Sequence, residues 1–236
     1  EGLQVREGEK SFFWAGRYHH DMNSRDTLTT ELNVLADFDP VVPEAYRKTP
    51  YLMLGNLTPA VQKRVIEQME TRPRLIALDT MNFWMDSALD SLLEVIGMVD
   101  MLIINDEEAR QLSGEYSLVK AAEHIQNLGP GTLIIKKGEH GALLFHQEHI
   151  FFAPALPLAQ VFDPTGAGDT FAGGVMGYLA QSDELTFDNL KRAVIFGSAM
   201  ASFCVEDFGI QRLRTLSSQE VRDRVHRFAQ LVHFEV

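Results

Sequence analysis

The chain has 236 residues, of which 45% are hydrophobic and 23% charged, enough to bury one sizeable core in an ordinary globular protein. Its 21 basic and 33 acidic residues give a formal net charge of −12, which would repel a polyphosphate backbone, so no nucleic acid partner is expected. Because no run of about 18 apolar residues occurs and the one cysteine, Cys204, permits no internal disulfide, we expect a cytoplasmic protein with no membrane partner.

The first predicted elements form a β-hairpin. Residues 11–20 (SFFWAGRYHH) and 27–35 (TLTTELNVL) are rich in aromatic and β-branched residues, and the turn-forming run DMNSRD separates them. We predict that a first segment, residues 1–40, carries this hairpin and stands apart from a main core formed by residues 41–236.

Alternating strands and helices begin at Tyr51. The segments YLMLGN, RLIALDT and MLIIN predict strands, whereas TPAVQKRVIEQME, SALDSLLEVIG and residues 117–128 predict helices. The first of these helices is expected to begin at Thr58, with Pro59 at its first position. Continuously apolar strands between helices indicate a parallel sheet that is covered on both faces.

The pattern changes after the Gly-Pro-Gly run at residues 129–131. The segments TLIIKKG, GALLFH and HIFFA predict strands, and the glycine and charged turns between them favour antiparallel pairing at one edge of the sheet. Three helices are predicted to follow, at about residues 167–181, 186–204 and 217–231. The predicted fold class is therefore α/β with an added hairpin.

A glycine-rich turn joins a strand-like end to a helix in the segment VFDPTGAGDTFAGGVMGYLA, residues 161–180. The N–H groups at a helix N-terminus and the positive end of its dipole suit an anion, and glycine lets the backbone approach a phosphate closely. Asp169, in the first turn of this helix, would stand beside such an anion. There it would accept the proton of a hydroxyl group that attacks the phosphorus.

Other interpretations of this turn are weaker. A plain structural turn with an N-terminal aspartate is the simplest alternative. A dinucleotide-binding turn fits poorly, because Phe171 stands where the third glycine or alanine of the G-x-G-x-x-G pattern belongs. The P-loop pattern GxxxxGK followed by Ser or Thr does not occur in the chain.

Four segments resemble the ribokinase-like (PfkB) carbohydrate kinase family. DPTGAGDTFAGG resembles its C-terminal signature, and residues 105–108 (NDEE) are similar to its Asn-x-x-Glu motif. Residues 137–141 (KGEHG) fall where the family has a glycine-containing turn beside the nucleotide, and residues 201–209 (ASFCVEDFG) resemble its stretch near the adenine and monovalent-cation sites. The resemblance covers nearly the whole chain.

The resemblance implies a ribokinase-like three-layer α/β/α sandwich with a mostly parallel central sheet. Residues 1–40 would be a small β-hairpin lid, and residues 41–236 the nucleotide-binding core. The family's N-terminal portion, which contacts the sugar, is expected to be absent from this chain.

The implied activity is that of an ATP-dependent kinase that transfers the γ-phosphate to a hydroxyl group of a sugar or nucleoside. Asp169 would be the general base, and the backbone N–H groups of Gly166, Ala167 and Gly168 would form the anion hole. A catalytically silent nucleotide-binding or regulatory member of the same fold is the alternative, although a pure binder would not need the base.

The resemblance implies further site residues. Asn105 and Glu108 would organise Mg²⁺ through water, and Asp163 would bind a monovalent cation such as K⁺. A helix start and an ordinary turn are the respective structural alternatives. Nucleotide contacts are implied for Lys137, Gly138, Gly141 and Gly209.

Two groups of side chains have open alternatives. Lys136 and Lys137 end an apolar strand, so one or both would face the nucleotide phosphates or else solvent. The lid residues Arg17, Tyr18 and Asn33 are candidates to touch the substrate. The lid would either pair with a second copy in a homodimer or close over the substrate, and the sequence does not choose between these roles.

Overall fold

The computed structural model describes residues 3–20, 22 and 25–233. Its strands form two sheets. The smaller sheet is an antiparallel hairpin of β1 (Phe13–Tyr18) and β2 (Arg25–Glu31), as the sequence predicts. The predicted turn DMNSRD includes positions 21, 23 and 24, which lie outside the described residues. Two short 3₁₀ turns, Asn33–Leu35 and Glu44–Tyr46, connect the hairpin to the larger sheet.

The larger sheet has six strands in chain order from one edge to the other. The first four strands are parallel, and the last two are antiparallel to their neighbours. This arrangement confirms the mostly parallel sheet with an antiparallel edge. The strands are β3 (Tyr51–Leu54), β4 (Leu75–Asp79), β5 (Met101–Asn105), β6 (Thr132–Lys136), β7 (Ala142–His146) and β8 (His149–Ala153).

The helices that cover the sheet follow the predicted order, with two short additions, α2 and α8, and with α4 at the helix start that the sequence offered as an alternative for residues 105–108. Thr58 caps the first helix, because its side chain accepts a hydrogen bond from the N–H of Val61, and Pro59 is the first helical residue. The helices are α1 (Pro59–Glu67), α2 (Asn82–Ser87), α3 (Leu89–Ile96), α4 (Asp106–Ser113), α5 (Leu118–Gln126), α6 (Ala167–Ser182), α7 (Phe187–Cys204), α8 (Gln211–Arg214) and α9 (Ser218–Val232).

The sheet has a hydrophobic core on each face, because successive strand residues point to opposite sides. One core joins Ile76 and Leu78 of β4 to Leu92 of α3. The other joins Ala77 of the same strand to Val175 of α6. Helices therefore lie on both faces, which confirms the ribokinase-like three-layer α/β/α sandwich.

Two glycines allow α6 and α7 to approach closely. A Cβ atom on Gly174 would lie 2.9 Å from the Cα of Gly197, and one on Gly197 would lie 2.7 Å from the carbonyl oxygen of Phe171. Neither position has room for a side chain without a backbone shift. This contact fixes the position of α6, and with it the glycine-rich turn that precedes the helix.

Within the described residues, no helix combines the length and the apolar character needed to cross a membrane. The division of the chain at residue 40 stays a prediction.

Candidate active site

Three polar side chains lie where neighbouring parallel strands end. Asp79 is the last residue of β4, Asn105 the last of β5 and Lys136 the last of β6. Asn105 and Lys136 are register partners across β5 and β6. Ligands of parallel α/β sheets bind at this carboxyl edge, so the three residues mark one end of the molecule as the candidate site.

The glycine-rich turn brings the N-terminus of α6 to this edge. Gly166 is the N-cap residue with a φ of +80°, a left-handed conformation that glycine adopts without strain. No side chain caps the helix. The Oδ1 atom of Asp163 accepts a hydrogen bond of 2.9 Å from the N–H of Thr165, which is the ordinary turn role available to an aspartate before proline.

The three N–H groups of the predicted anion hole are not equivalent. The N–H of Ala167 donates to the carbonyl oxygen of Pro164 at 3.1 Å. Those of Gly166 and Gly168 have no hydrogen-bond partner within the described part of the chain. Of the three N–H groups in the predicted anion hole, an anion at this turn would therefore meet two that are unpaired, and the third would be added only if the contact with Pro164 breaks.

A cluster of two acids and one lysine adjoins the turn. The Nζ atom of Lys136 lies 3.3 Å from Oδ1 of Asp79. A Cβ atom on Gly168 would lie 3.2 Å from the same nitrogen. Asp169 is exposed in the first turn of α6. Its negative charge is near enough to Asp79 to influence the pKa of that carboxyl group. These contacts join the strand ends to the catalytic candidate.

Burial is the main cause of a raised pKa at Asp79. Lys136 opposes this rise through its positive charge and hydrogen bond, whereas Asp169 adds to it. Sequence reasoning missed Asp79, although an acidic residue at the end of an otherwise apolar strand is a signal that it could have used.

The motif at residues 105–108 forms a capping box at the start of α4. Oδ1 of Asn105 accepts from the N–H of Glu108 at 2.8 Å, and Oε2 of Glu108 accepts from the N–H of Asn105 at 2.7 Å. The described residues hold no group of three or more His, Cys, Asp or Glu side chains placed to bind a metal. Because Mg²⁺ retains several waters, a pair already engaged as a cap fits water-mediated contact better than direct ligation.

The turn after β6 needs its glycines for conformation. Gly138 has a φ of +54°, and Gly141 has a φ of +84°, where a Cβ atom would lie 2.1 Å from the carbonyl oxygen of Ala153. The Nζ atom of Lys137 lies 5.9 Å from the ring centroid of Phe152. Lys136 and Lys137 therefore have different surroundings, and it is Lys136 that adjoins the glycine-rich turn.

Residues 203–209 pack behind the turn. The N–H of Phe162 donates to the carbonyl oxygen of Val205 at 2.8 Å, and Sγ of the buried Cys204 lies 3.7 Å from the carbonyl oxygen of Thr165. Cys204 is a core residue. Gly209 has a φ of +60°.

A buried arginine anchors this segment to α9. Arg224 donates to Oγ of Ser202 at 2.7 Å, forms an ion pair of 2.6 Å with Glu206, and stacks 3.7 Å from the ring centroid of Phe203. The segment behind the turn is therefore attached to α9, the next long helix in the chain.

Of the three lid candidates, Tyr18 contacts the glycine-rich turn. The Oγ1 atom of Thr165 donates to its hydroxyl oxygen at 3.1 Å. Arg17, the preceding residue, is exposed and lies opposite Asp26 in the hairpin. The Nδ2 atom of Asn33 donates to the carbonyl oxygen of Ser11 at 2.8 Å, a bond inside the lid region.

The fold and the candidate site define an α/β protein that places a glycine-rich helix N-terminus at the carboxyl ends of parallel strands. The chain belongs to the pfkB family of carbohydrate kinases, whose family model matches residues 18–215. This membership confirms the family resemblance found in the sequence.

Proteins similar in sequence to this chain are named as kinases. The chain is 27% identical over 181 residues to the cytidine kinase of Thermococcus kodakarensis, a match that covers 74% of this chain and 63% of that protein. It therefore spans less than two thirds of this relative's length.

Solved structures share the fold. The nucleoside kinase of Methanocaldococcus jannaschii superposes with a TM-score of 0.72 at 20% identity, covering 94% of this chain and 70% of its own. The aminoimidazole riboside kinase of Salmonella enterica, crystallised with aminoimidazole riboside and an ATP analogue, gives a TM-score of 0.68 at 22% identity, covering 94% of this chain and 76% of its own.

Proposed function

We propose that the protein containing this chain is a kinase that transfers the γ-phosphate of ATP to a hydroxyl group of a sugar or nucleoside. The observation that carries the proposal is the position of Asp169, exposed in the first turn of α6 beside an N-terminus that no side chain caps. A carboxylate there lies at the positive end of the helix dipole and is accessible to an acceptor.

In the proposed reaction the acceptor oxygen attacks the γ-phosphorus of ATP. A bond forms between that oxygen and phosphorus, the bond from phosphorus to the β–γ bridging oxygen breaks, and ADP leaves with the electron pair. The hydroxyl proton passes to the carboxylate of Asp169 as general base. The positive helix terminus and the N–H groups of Gly166 and Gly168 would hold the transferring group, with that of Ala167 joining if it leaves Pro164.

The nucleotide would lie along the same edge. Its contacts are proposed at the turn after β6 and in the segment behind the glycine-rich turn, from Lys137, Gly138, Gly141 and Gly209. The interaction of Lys137 with the ring of Phe152 supports a cationic surface at the first of these places.

Asn105 and Glu108 would hold Mg²⁺ through its waters. When bound, Mg²⁺ would supply neutralisation of charge on the β- and γ-phosphates. Asp163 stays the proposed position for K⁺, and its turn contact with Thr165 would fix the orientation of its carboxylate. The cytoplasmic location likewise stays a prediction from the single cysteine.

The acceptor is proposed to be a small hydroxyl-bearing molecule, a sugar or a nucleoside. The relative named cytidine kinase favours a nucleoside. The contact of Tyr18 with Thr165 supports closure of the lid over the site, and Arg17 and Asn33 stay predicted substrate contacts. Pairing of two lids in a homodimer stays a prediction, and the exposed Phe12 and Phe13 would supply its apolar face.

The test is ADP release from ATP and Mg²⁺ by the full-length protein, across a panel of nucleosides and sugars, compared with Asp169→Asn. We expect acceptor-dependent turnover that falls by about 10²- to 10⁴-fold in the variant. The matched control is Asp188→Asn, which changes an exposed acid in the first turn of α7 and should leave turnover unchanged. ATP binding without turnover on any acceptor would instead support a silent nucleotide-binding protein.

A further inference from the structure

Lys136 occupies a position between the strand ends and the glycine-rich turn. Its side chain reaches past β5, because its partner Asp79 ends a strand two places away in the sheet. On the other side, its nitrogen approaches Gly168, whose N–H group is one of the two unpaired donors of the turn. The ammonium group therefore faces the place where the transferring phosphoryl group is proposed to lie.

The pair is buried more deeply than a surface ion pair. The side chains of Lys136 and Asp79 are 19% and 8% exposed. A buried ion pair contributes little to stability by itself, because the loss of hydration offsets the attraction between the charges. Stability therefore does not explain why a lysine and an aspartate meet at this edge.

The lysine also has hydrogen-bonding capacity that the pair does not use. An ammonium group has three N–H donors, and within the described residues Asp79 is the one hydrogen-bond partner of this nitrogen. The chain as a whole carries a charge of −12, so a polyphosphate needs a local cation to approach two carboxylates. Lys136 can supply this positive charge while it keeps its hydrogen bond to Asp79.

We propose that Lys136 is a catalytic residue that contacts the transferring phosphoryl group, and that Asp79 is a positioning residue that holds Lys136 in place. This inference rests on the proposed phosphoryl transfer. As the bond to the acceptor oxygen forms and the bond to ADP breaks, Lys136 donates N–H hydrogen bonds to phosphoryl oxygens. It neither gains nor loses a proton, because the hydroxyl proton passes to Asp169.

The first test replaces Lys136 by methionine in the full-length protein, which keeps an unbranched buried stem without the charge. We expect kcat to fall by about 10²- to 10³-fold, as when a donor to a developing oxyanion is removed, with the acceptor KM little changed. Lys120→Met, at an exposed position of α5, is the matched control and should turn over like the wild type.

A binding measurement separates this role from a structural one. ADP with aluminium fluoride and acceptor imitates the transferring group, so Lys136→Met should bind ADP alone as the wild type does but lose the gain in affinity from aluminium fluoride. If the methionine variant does not fold, the same measurements are made on Lys136→Gln, whose amide can still donate a hydrogen bond to Asp79.

A double-mutant cycle tests Asp79. Asp79→Asn should lower kcat less than Lys136→Met does, and the double variant should be no slower than Lys136→Met alone, because Asp79 acts through the lysine. A kcat within about threefold of the wild type in Lys136→Met would overturn the inference, while wild-type turnover would leave the proposed function standing. Absence of turnover in the wild type would instead reject the proposed function, and this inference with it.

Discussion

Oγ1 of Thr165 donates a hydrogen bond of 3.1 Å to the hydroxyl oxygen of Tyr18, and this contact joins the hairpin to the glycine-rich turn. The two residues are 147 positions apart in the chain. Thr165 directly precedes Gly166, the N-cap of α6, so the lid contacts the turn beside the proposed anion hole. A movement of the hairpin would therefore change the surroundings of the proposed anion hole.

Tyr18→Phe should weaken the hold of the lid on the turn. A hydrogen bond of this kind contributes about 0.5 to 1.5 kcal/mol, so we expect the acceptor KM to rise about 2- to 10-fold. Steady-state kinetics measure this KM, and Tyr46→Phe, at an exposed position, is the control. Thr165→Val should have the same effect and the double variant should add nothing, whereas additive losses would contradict the coupling.

Asn105 variants should separate helix capping from metal organisation. Asn105→Ala removes the cap of α4 and should lower the free energy of unfolding by about 0.5 to 2 kcal/mol, whereas Asn105→Ser retains a capping oxygen and should preserve it. Urea unfolding measures this difference. Both variants should require more Mg²⁺ for half-maximal turnover. An unchanged Mg²⁺ requirement in the serine variant would mean that Asn105 acts as a cap alone.

Gly141→Ala should destabilise the protein more than Gly114→Ala does. Gly114 is left-handed helical with φ +72° and ψ 6°, where alanine bears a conformational penalty of roughly 1 to 2 kcal/mol. Gly141, with φ +84° and ψ −147°, lies in a region that is essentially confined to glycine, so its backbone penalty is larger. The alanine at 141 would in addition clash with the carbonyl oxygen of Ala153, whereas nothing lies within 4 Å at 114. Equal shifts in the urea midpoint would contradict the steric account of the turn after β6.

Glu220 should make the stability of α9 depend on pH. Hydrogen bonds from the N–H of Ser217 and then from Arg212 lower its pKa from 4.5 to about 2. Since the folded-state pKa is the lower one, the stabilisation is present above pH 4.5 and is lost as pH falls towards about 2.

Glu220→Gln should therefore be less stable than the wild type at neutral pH. The difference should narrow from about pH 5 towards pH 3 in urea unfolding series. Glu123→Gln, at an exposed position of α5, serves as the comparison. A difference that stays constant over this range would count against the capping interaction at Ser217.

Much of the fold follows from local patterns. The run MLIIN predicts a strand that the structure places at Met101–Asn105, and the glycine-rich turn predicts a helix start near residue 167, where α6 begins. Apolar runs with clear boundaries determine such elements before any long-range contact forms. The short helices α2 (Asn82–Ser87) and α8 (Gln211–Arg214) escaped prediction, because so few residues show little periodicity.

The candidate site was predictable in part. Gly166 and Asp169 stand out because glycine spacing and an acid in the first helical turn are local features. The capping box of Asn105 and Glu108 agrees with the helix start that the sequence offered as an alternative. That the N–H of Ala167 is already bonded to Pro164 depends on the course of the backbone, and residue identities alone do not give this hydrogen bond.

The sequence by itself determined the order of strands and helices, the covered parallel sheet and the glycine-rich turn with its aspartate, because each depends on neighbouring residues. Only the tertiary structure decided that Lys136, rather than Lys137, lies against Gly168, and that its partner is Asp79, 57 residues earlier. The physical reason is that long crossover connections separate parallel strands in the sequence, while the packing of the sheet brings the strand ends together. No local sequence pattern shows which side chains at those ends are in contact.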